Sequence, residues 1–263
     1  MCLIFLACNC HPRYPLVVAA NRDEFYARAD LPAAYWPDQP DLLAGKDLEQ
    51  GGTWMGITAA GRFAALTNYR DPARFNPNAS SRGHLVQRYL AGADDPEAYL
   101  AGIPDGGRAY NGFSLLAGSD QALFYYSNRE NRIRRLERGI HGLSNSLINI
   151  PWPKVTRGVQ AISDCLSSAE PGAEALFEIM ANRECPVDQD LPETGVGLEM
   201  ERMLGPIFVV SPNYGTKSTT IMMVDRERRV RFWERTFEPG QPELWNQVYY
   251  EFVIEQTNPG HRL

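Results

Sequence analysis

The stretch that decides the fold is Cys2-Leu3-Ile4-Phe5-Leu6-Ala7-Cys8, the turn-forming segment Asn9 to Pro15, and the second apolar run Leu16-Val17-Val18-Ala19-Ala20, closed by Asn21-Arg22-Asp23-Glu24. Two short apolar runs around a polar, proline-containing turn predict a hairpin of two buried strands. In an antiparallel pair the end of the second strand lies beside the start of the first, so Arg22 and Asp23, expected just past the second strand, return to Cys2. Adjacent strand residues point to opposite faces, so unless the chain turns at Asn21 only one of the two faces the thiol. Initiator methionine is generally removed ahead of a small second residue, which would leave Cys2 carrying both a thiol and a free α-amine. Such an amine has a reference pKa of about 8 and a thiol about 8.5, so the amine is a competent base for the sulfur near neutral pH.

Outward from this hairpin, strands are expected at 50–58 and 62–68, the second ending at Asn68 where Tyr69 to Pro72 stops the ladder. A Pro-rich aromatic segment around Tyr35-Trp36-Pro37 precedes them. Ser80 or Ser81 reads as the cap of a helix through Leu85, Val86 and Tyr89, and Asp95-Pro96 starts another. Strands at 113–117, 122–127, 133–137 and 139–144 suggest a meander ending at Asn145. Val155, Val159, Ile162 and Leu166 line one face of a helix after Pro153, and 173–180 gives a second. Residues 182–200 read as a loop, followed by strands at 207–210, 219–224, 230–237 and 248–254. Strands at both ends with helices between them indicate an α+β layered domain, taken as one unit over 1–263, not a doubly wound parallel sheet.

The 263 residues are 44% hydrophobic with a formal net charge of −6, which makes nucleic acid an unlikely partner. Five cysteines at spacings without a paired framework read as reduced thiols in a cytoplasmic setting. The N-terminal apolar run breaks at Asn9 and lacks a basic lead, so it resembles neither a signal peptide nor a membrane span, and no other run reaches transmembrane length. Cys8-Asn9-Cys10-His11 offers too few ligands for a metal, and none is expected. His84 and His141 are lone histidines, from which haem binding does not follow.

Six motifs in order, Met1-Cys2-Leu3-Ile4, Ala20-Asn21-Arg22-Asp23-Glu24, Gly51-Gly52-Thr53-Trp54-Met55-Gly56, Leu66-Thr67-Asn68-Tyr69-Arg70, Gly142-Leu143-Ser144-Asn145-Ser146 and Tyr214-Gly215-Thr216-Lys217-Ser218-Thr219-Thr220, resemble the NRDE family, also called the transport and Golgi organisation 2 family. The resemblance spans nearly the whole chain. It implies an N-terminal nucleophile hydrolase-like fold, a four-layer αββα sandwich of two antiparallel sheets, similar to the cysteine branch that holds penicillin V acylases and bile salt hydrolases. By that likeness Cys2, Arg22, Asp23, Asn68 and Asn145 take the catalytic places, and Lys217 stands where the branch has a late arginine. Asn21, Thr53, Trp54, Tyr69 and Arg70 are expected to shape the substrate pocket.

The implied activity is cleavage of an amide or thioester bond in a small acylated substrate, without a cofactor. The family's links to haem trafficking and to lipid or acyl-coenzyme A metabolism imply an alternative, a non-catalytic haem or acyl-lipid carrier on the same fold. Each site residue also has a plainer reading. Cys2 is then a small buried strand residue, Arg22 a strand-end ion pair, and the two asparagines turn formers.

Overall fold

The structure, a computed structural model, describes residues 2–255. The strands are β1 (Cys2–Cys8), β2 (Leu16–Phe25), β3 (Asp30–Trp36), β4 (Gln39–Asp47), β5 (Met55–Thr58) and β6 (Phe63–Asn68), followed by helices α1 (Gly83–Ala91) and α2 (Pro96–Ala101). Strands β7 (Phe113–Gly118), β8 (Leu123–Ser127), β9 (Arg132–Arg135) and β10 (Gly139–Leu143) come next, then helices α3 (Pro153–Leu166), α4 (Ala173–Met180) and α5 (Leu198–Leu204). The last three strands are β11 (Tyr214–Val224), β12 (Arg229–Glu238) and β13 (Gln241–Val253).

Two antiparallel sheets result, a six-stranded one in the order β10-β1-β2-β11-β12-β13 and a seven-stranded one running β3 to β9 in sequence order. Strand alternation sorts the hairpin residues between two cores. Ile4, Leu6, Cys8, Leu16, Val18 and Ala20 face the second sheet, where they meet Leu43, Ile57, Phe63, Leu116 and Tyr125. Leu3, Phe5, Ala7, Val17 and Ala19 face the other way, onto Val155, Ile162, Leu176 and Phe177 of α3 and α4. A third core packs α1 and α2 on the outer face of the seven-stranded sheet through Leu85, Val86, Tyr89 and Leu100. The layers are therefore α, β, β, α, the α+β sandwich expected. Helix α3 approaches its sheet through Gly158, where an added Cβ would lie 2.0 Å from the Phe5 ring.

Several local expectations change. Strand β2 does not stop at Ala20; it runs to Phe25, because β11 supplies a partner all the way down, with Thr216 opposite Asp23 and Tyr214 opposite Phe25. The Tyr35-Trp36-Pro37 region belongs to β3 and β4, an irregular edge pair whose two register shifts blur the alternation that marks a strand. Neither Ser80 nor Ser81 caps α1; Arg82 holds that position in helical geometry with no side-chain cap. Asp95 does cap α2, accepting from the backbone N–H groups of Glu97 and Ala98. The meander covers β7 to β9 only, since β10 crosses to the other sheet and pairs with β1. Residues 207–210 are not a strand: Ile207, Phe208 and Val209 are buried as an apolar plug, and α5 forms where the preceding loop was expected to end.

Candidate active site

Cys2 is half-buried at the start of β1, directly opposite Arg22 of β2, and both side chains fall on the face turned to the second sheet. Above them opens a cleft of about 460 Å³, within the range of small-molecule sites. Its lining includes Cys2, Arg22, Asp23, Thr53, Trp54 and Asn68, so six of the eleven expected site residues converge from four separate stretches of chain. The motif Gly51-Gly52-Thr53 shapes one wall. A Cβ at Gly52 would stand 2.7 Å from the Gly83 carbonyl carbon, so only glycine lets this loop lie against the start of α1.

Arg22 is clamped in place. Its guanidinium pairs with Asp30 and sits over the Trp54 ring, 4.1 Å from the centroid. Asp30 is held in turn by Lys217 Nζ at 2.8 Å, and Lys217 also donates to the Arg28 carbonyl. Lys217 thus supports Arg22 from behind and does not line the cleft. Burial pushes the Cys2 thiol above its usual value; the nearby Asp23 carboxylate adds to this and the Arg22 guanidinium opposes it.

One residue along, the other face of β2 has a different character. Asn21 is fully buried, its amide donating to the Met180 and Ile207 carbonyls at 2.9 Å each, and its oxygen accepting from Thr219 at 2.6 Å. It ties the sheet to α4 and to the 207–209 plug and takes no place in the large cleft. Asp23 accepts from the Thr216 hydroxyl at 2.7 Å, and burial raises its pKa against the opposing charge of Lys154. Lys154 is buried on α3, donates to the Leu204 carbonyl at 2.8 Å, and is pushed down by burial to about 8.

Arg70 lies beyond the cleft in this same buried cluster. It meets Glu201 of α5 at 2.5 Å and faces the Trp152 ring, while its Nε and Nη2 have no partner among the described residues. Asn145 is also buried: its amide donates to the Asn68 carbonyl at 3.0 Å, and its own carbonyl accepts from the Arg70 N–H at 2.8 Å. Tyr69 sits outside the cleft lining with its ring near Arg129. His84 and His141 bond the Gln50 and Glu137 carbonyls and do not border the cleft. Among the described residues no three His, Cys, Asp or Glu side chains gather as a metal site requires, and no helix is long and apolar enough to cross a membrane.

Arg82, Lys154, Glu201 and Glu234 join the site without being marked by any motif in the sequence. The last bridges the two sheets, accepting from the Ala33 N–H and the Thr220 hydroxyl. Charged residues inside amphipathic segments gave no local signal of burial. For Lys154 a position between Pro153 and Val155, the first apolar residue of the buried face, was the available hint.

The model of the family described as Transport and Golgi organisation 2 matches residues 1–239. The chain belongs to that family. A Bos taurus Transport and Golgi organization protein 2 homolog is 35% identical over 283 aligned positions, covering 97% of this chain and all of that one; the Homo sapiens homolog is 34% identical over 276, with the same coverage. Among solved structures, the C2A mutant of a conjugated bile acid hydrolase from Clostridium perfringens aligns with a TM-score of 0.54 at 8% identity, covering 98% of this chain and 100% of that one. At that identity the likeness shows the fold, which is N-terminal nucleophile hydrolase-like.

Proposed function

We propose that this family member is a cysteine N-terminal nucleophile hydrolase that cleaves an amide or thioester bond of a small acylated substrate after Met1 is removed. The observation that carries the proposal is the pairing of Cys2 with Arg22 on one strand face at the floor of a ligand-sized cleft. A thiol pushed up by burial is not ionised at neutral pH and needs a base beside it, and an α-amine on the same residue meets that need.

In this mechanism the amine takes the thiol proton as sulfur attacks the carbonyl carbon, and the carbonyl electron pair moves to oxygen. Arg22 stabilises the thiolate and Asn68 donates to the oxyanion, while Asn145 fixes the Asn68 backbone and acts as a positioning residue. Collapse breaks the C–N or C–S bond, the ammonium returns its proton to the leaving group, and a thioester remains on Cys2. Water, deprotonated by the same amine, then releases the acid. Asp23 orients the amine, Thr53 and Trp54 line the substrate space, and Lys217 holds Arg22 through Asp30.

The test is turnover of a panel of acyl amides and thioesters by the purified chain and by Cys2→Ala. Hydrolysis that falls by at least about 10³-fold in the variant, with unchanged unfolding, is expected. Activity that survives Cys2→Ala rejects Cys2 as the nucleophile.

A further inference from the structure

The cleft contains three arginines, and they are not equivalent. Arg22 is paired with Asp30, and Arg28 with Asp47 at 2.6 Å and Glu49 at 3.2 Å. Arg82, at the entry to α1, makes no ion pair among the described residues. Among the described residues its guanidinium makes one hydrogen bond, from Nη1 to the Gly112 backbone carbonyl at 3.1 Å, so most of a five-donor fork at the cleft lining has no protein partner there. Burial lowers its pKa, and the Glu24 carboxylate and Cys2 across the same cleft oppose that shift without forming an ion pair with it. A guanidinium in that state favours a planar oxyanion, which it can bind through two parallel N–H donors.

The rim of the same cleft is apolar and exposed. Phe25 and Phe75 line it with 58% and 65% of their surface open to solvent, and Pro77 lies beside them. Phe25 packs edge to face with Tyr214, at 5.2 Å between ring centroids, and still leaves more than half of its surface uncovered. Two uncovered phenylalanines at a cleft mouth with an unpaired cation inside fit a ligand with two unlike ends.

From this juxtaposition we infer that the cleft selects anionic amphiphiles, acylated molecules whose carboxylate-type oxyanion is bound by Arg82 while the acyl chain lies across Phe25 and Phe75. Arg82 is then a specificity-determining residue, and the substrate class of the proposed hydrolase is narrowed to acylated acids. The inference rests on the proposed hydrolase only in calling the ligand a substrate.

The experiment separates the two by measuring binding where no nucleophile remains. Calorimetric titration of the Cys2→Ala chain with N-dodecanoylglycine and with its uncharged primary amide is expected to give at least tenfold tighter binding of the acid. Arg82→Gln should remove that preference while leaving affinity for the amide within twofold, and Arg82→Lys, which keeps the charge, should retain part of it. Shortening the acyl chain from dodecanoyl to acetyl should weaken binding, and Phe75→Ser should reduce that chain-length dependence. Equal affinity for acid and amide, a preference that survives Arg82→Gln in a variant with native circular dichroism, or no binding of either ligand overturns the inference. Selective binding by a chain that hydrolyses nothing rejects the hydrolase and keeps the site; hydrolysis of acid and amide at equal rates does the reverse.

Discussion

The two faces of β2 at residues 21–23 lie one side chain apart and differ in almost every respect. On the helix side, Asn21 has both amide hydrogens and its oxygen engaged, and Asp23, which also borders the cleft, reaches a buried charge cluster with Lys154, Arg70 and Glu201. On the sheet side, Arg22 is held by Asp30 and Trp54 beneath an open cleft that also exposes Cys2. The same four-residue motif therefore serves two ends. One face fastens the strand to the helical layer so that the other can present chemistry without moving.

If that division is right, substitutions on the two faces should separate stability from turnover. The largest effect belongs to the buried cluster. Glu201→Gln deprives Arg70, already short of hydrogen-bond partners, of its buried ion-pair carboxylate and should cost about 3–5 kcal/mol in urea unfolding, with cleft binding unchanged once the chain is folded. Equal stability would mean that the cluster is hydrated and the helix face is not a fixed support.

Asn68→Ala, on the cleft side, should lower kcat by about 10²-fold or more with KM and unfolding little altered, as expected for an oxyanion donor. Its counterpart Asn21→Ala reverses the pattern. Removing its side chain strands the Met180 and Ile207 carbonyls and should cost about 2 kcal/mol of stability, while kcat of the folded fraction is kept. A kcat loss in Asn21→Ala equal to that of Asn68→Ala would erase the distinction between the faces.

The smallest and most specific test uses pH. Lys154 titrates near 8 in the folded chain against an ordinary value of 10.5, so between these pH values the unfolded chain binds the extra proton. Stability from this group then rises as pH climbs from about 8 to about 10.5. The difference in unfolding free energy between the native chain and Lys154→Met should follow that rise, and a flat difference would place the ammonium in water.

The hairpin was legible because its signal is local: two apolar runs, a polar turn, and alternation that sends Ile4 and Leu3 to different cores. The convergence of Cys2, Arg22, Asp23, Thr53, Trp54 and Asn68 was anticipated as well, since each sits at or beside a strand end. What failed needed distant partners. Residues 23–25, beyond the reach of β1, became strand because β11 lies alongside; Arg70 turned inward because α5 brings Glu201 to it, and Asn145 because its amide closes on the Asn68 carbonyl. An isolated Arg82 next to two serines reads as a helix start, and nothing in the chain around it tells that Gly52 and Gly83 bring that start to the wall of the cleft.

The central claim is that Cys2 works as an N-terminal residue on the open face of β2. Intact-mass analysis of a preparation that turns over an acyl amide tests it most directly. The account predicts a chain lighter by one methionine residue, with a mass increase equal to the acyl group when substrate is in excess and none in Cys2→Ala. An active chain that still carries Met1 has no free amine on Cys2, and that result would contradict the mechanism.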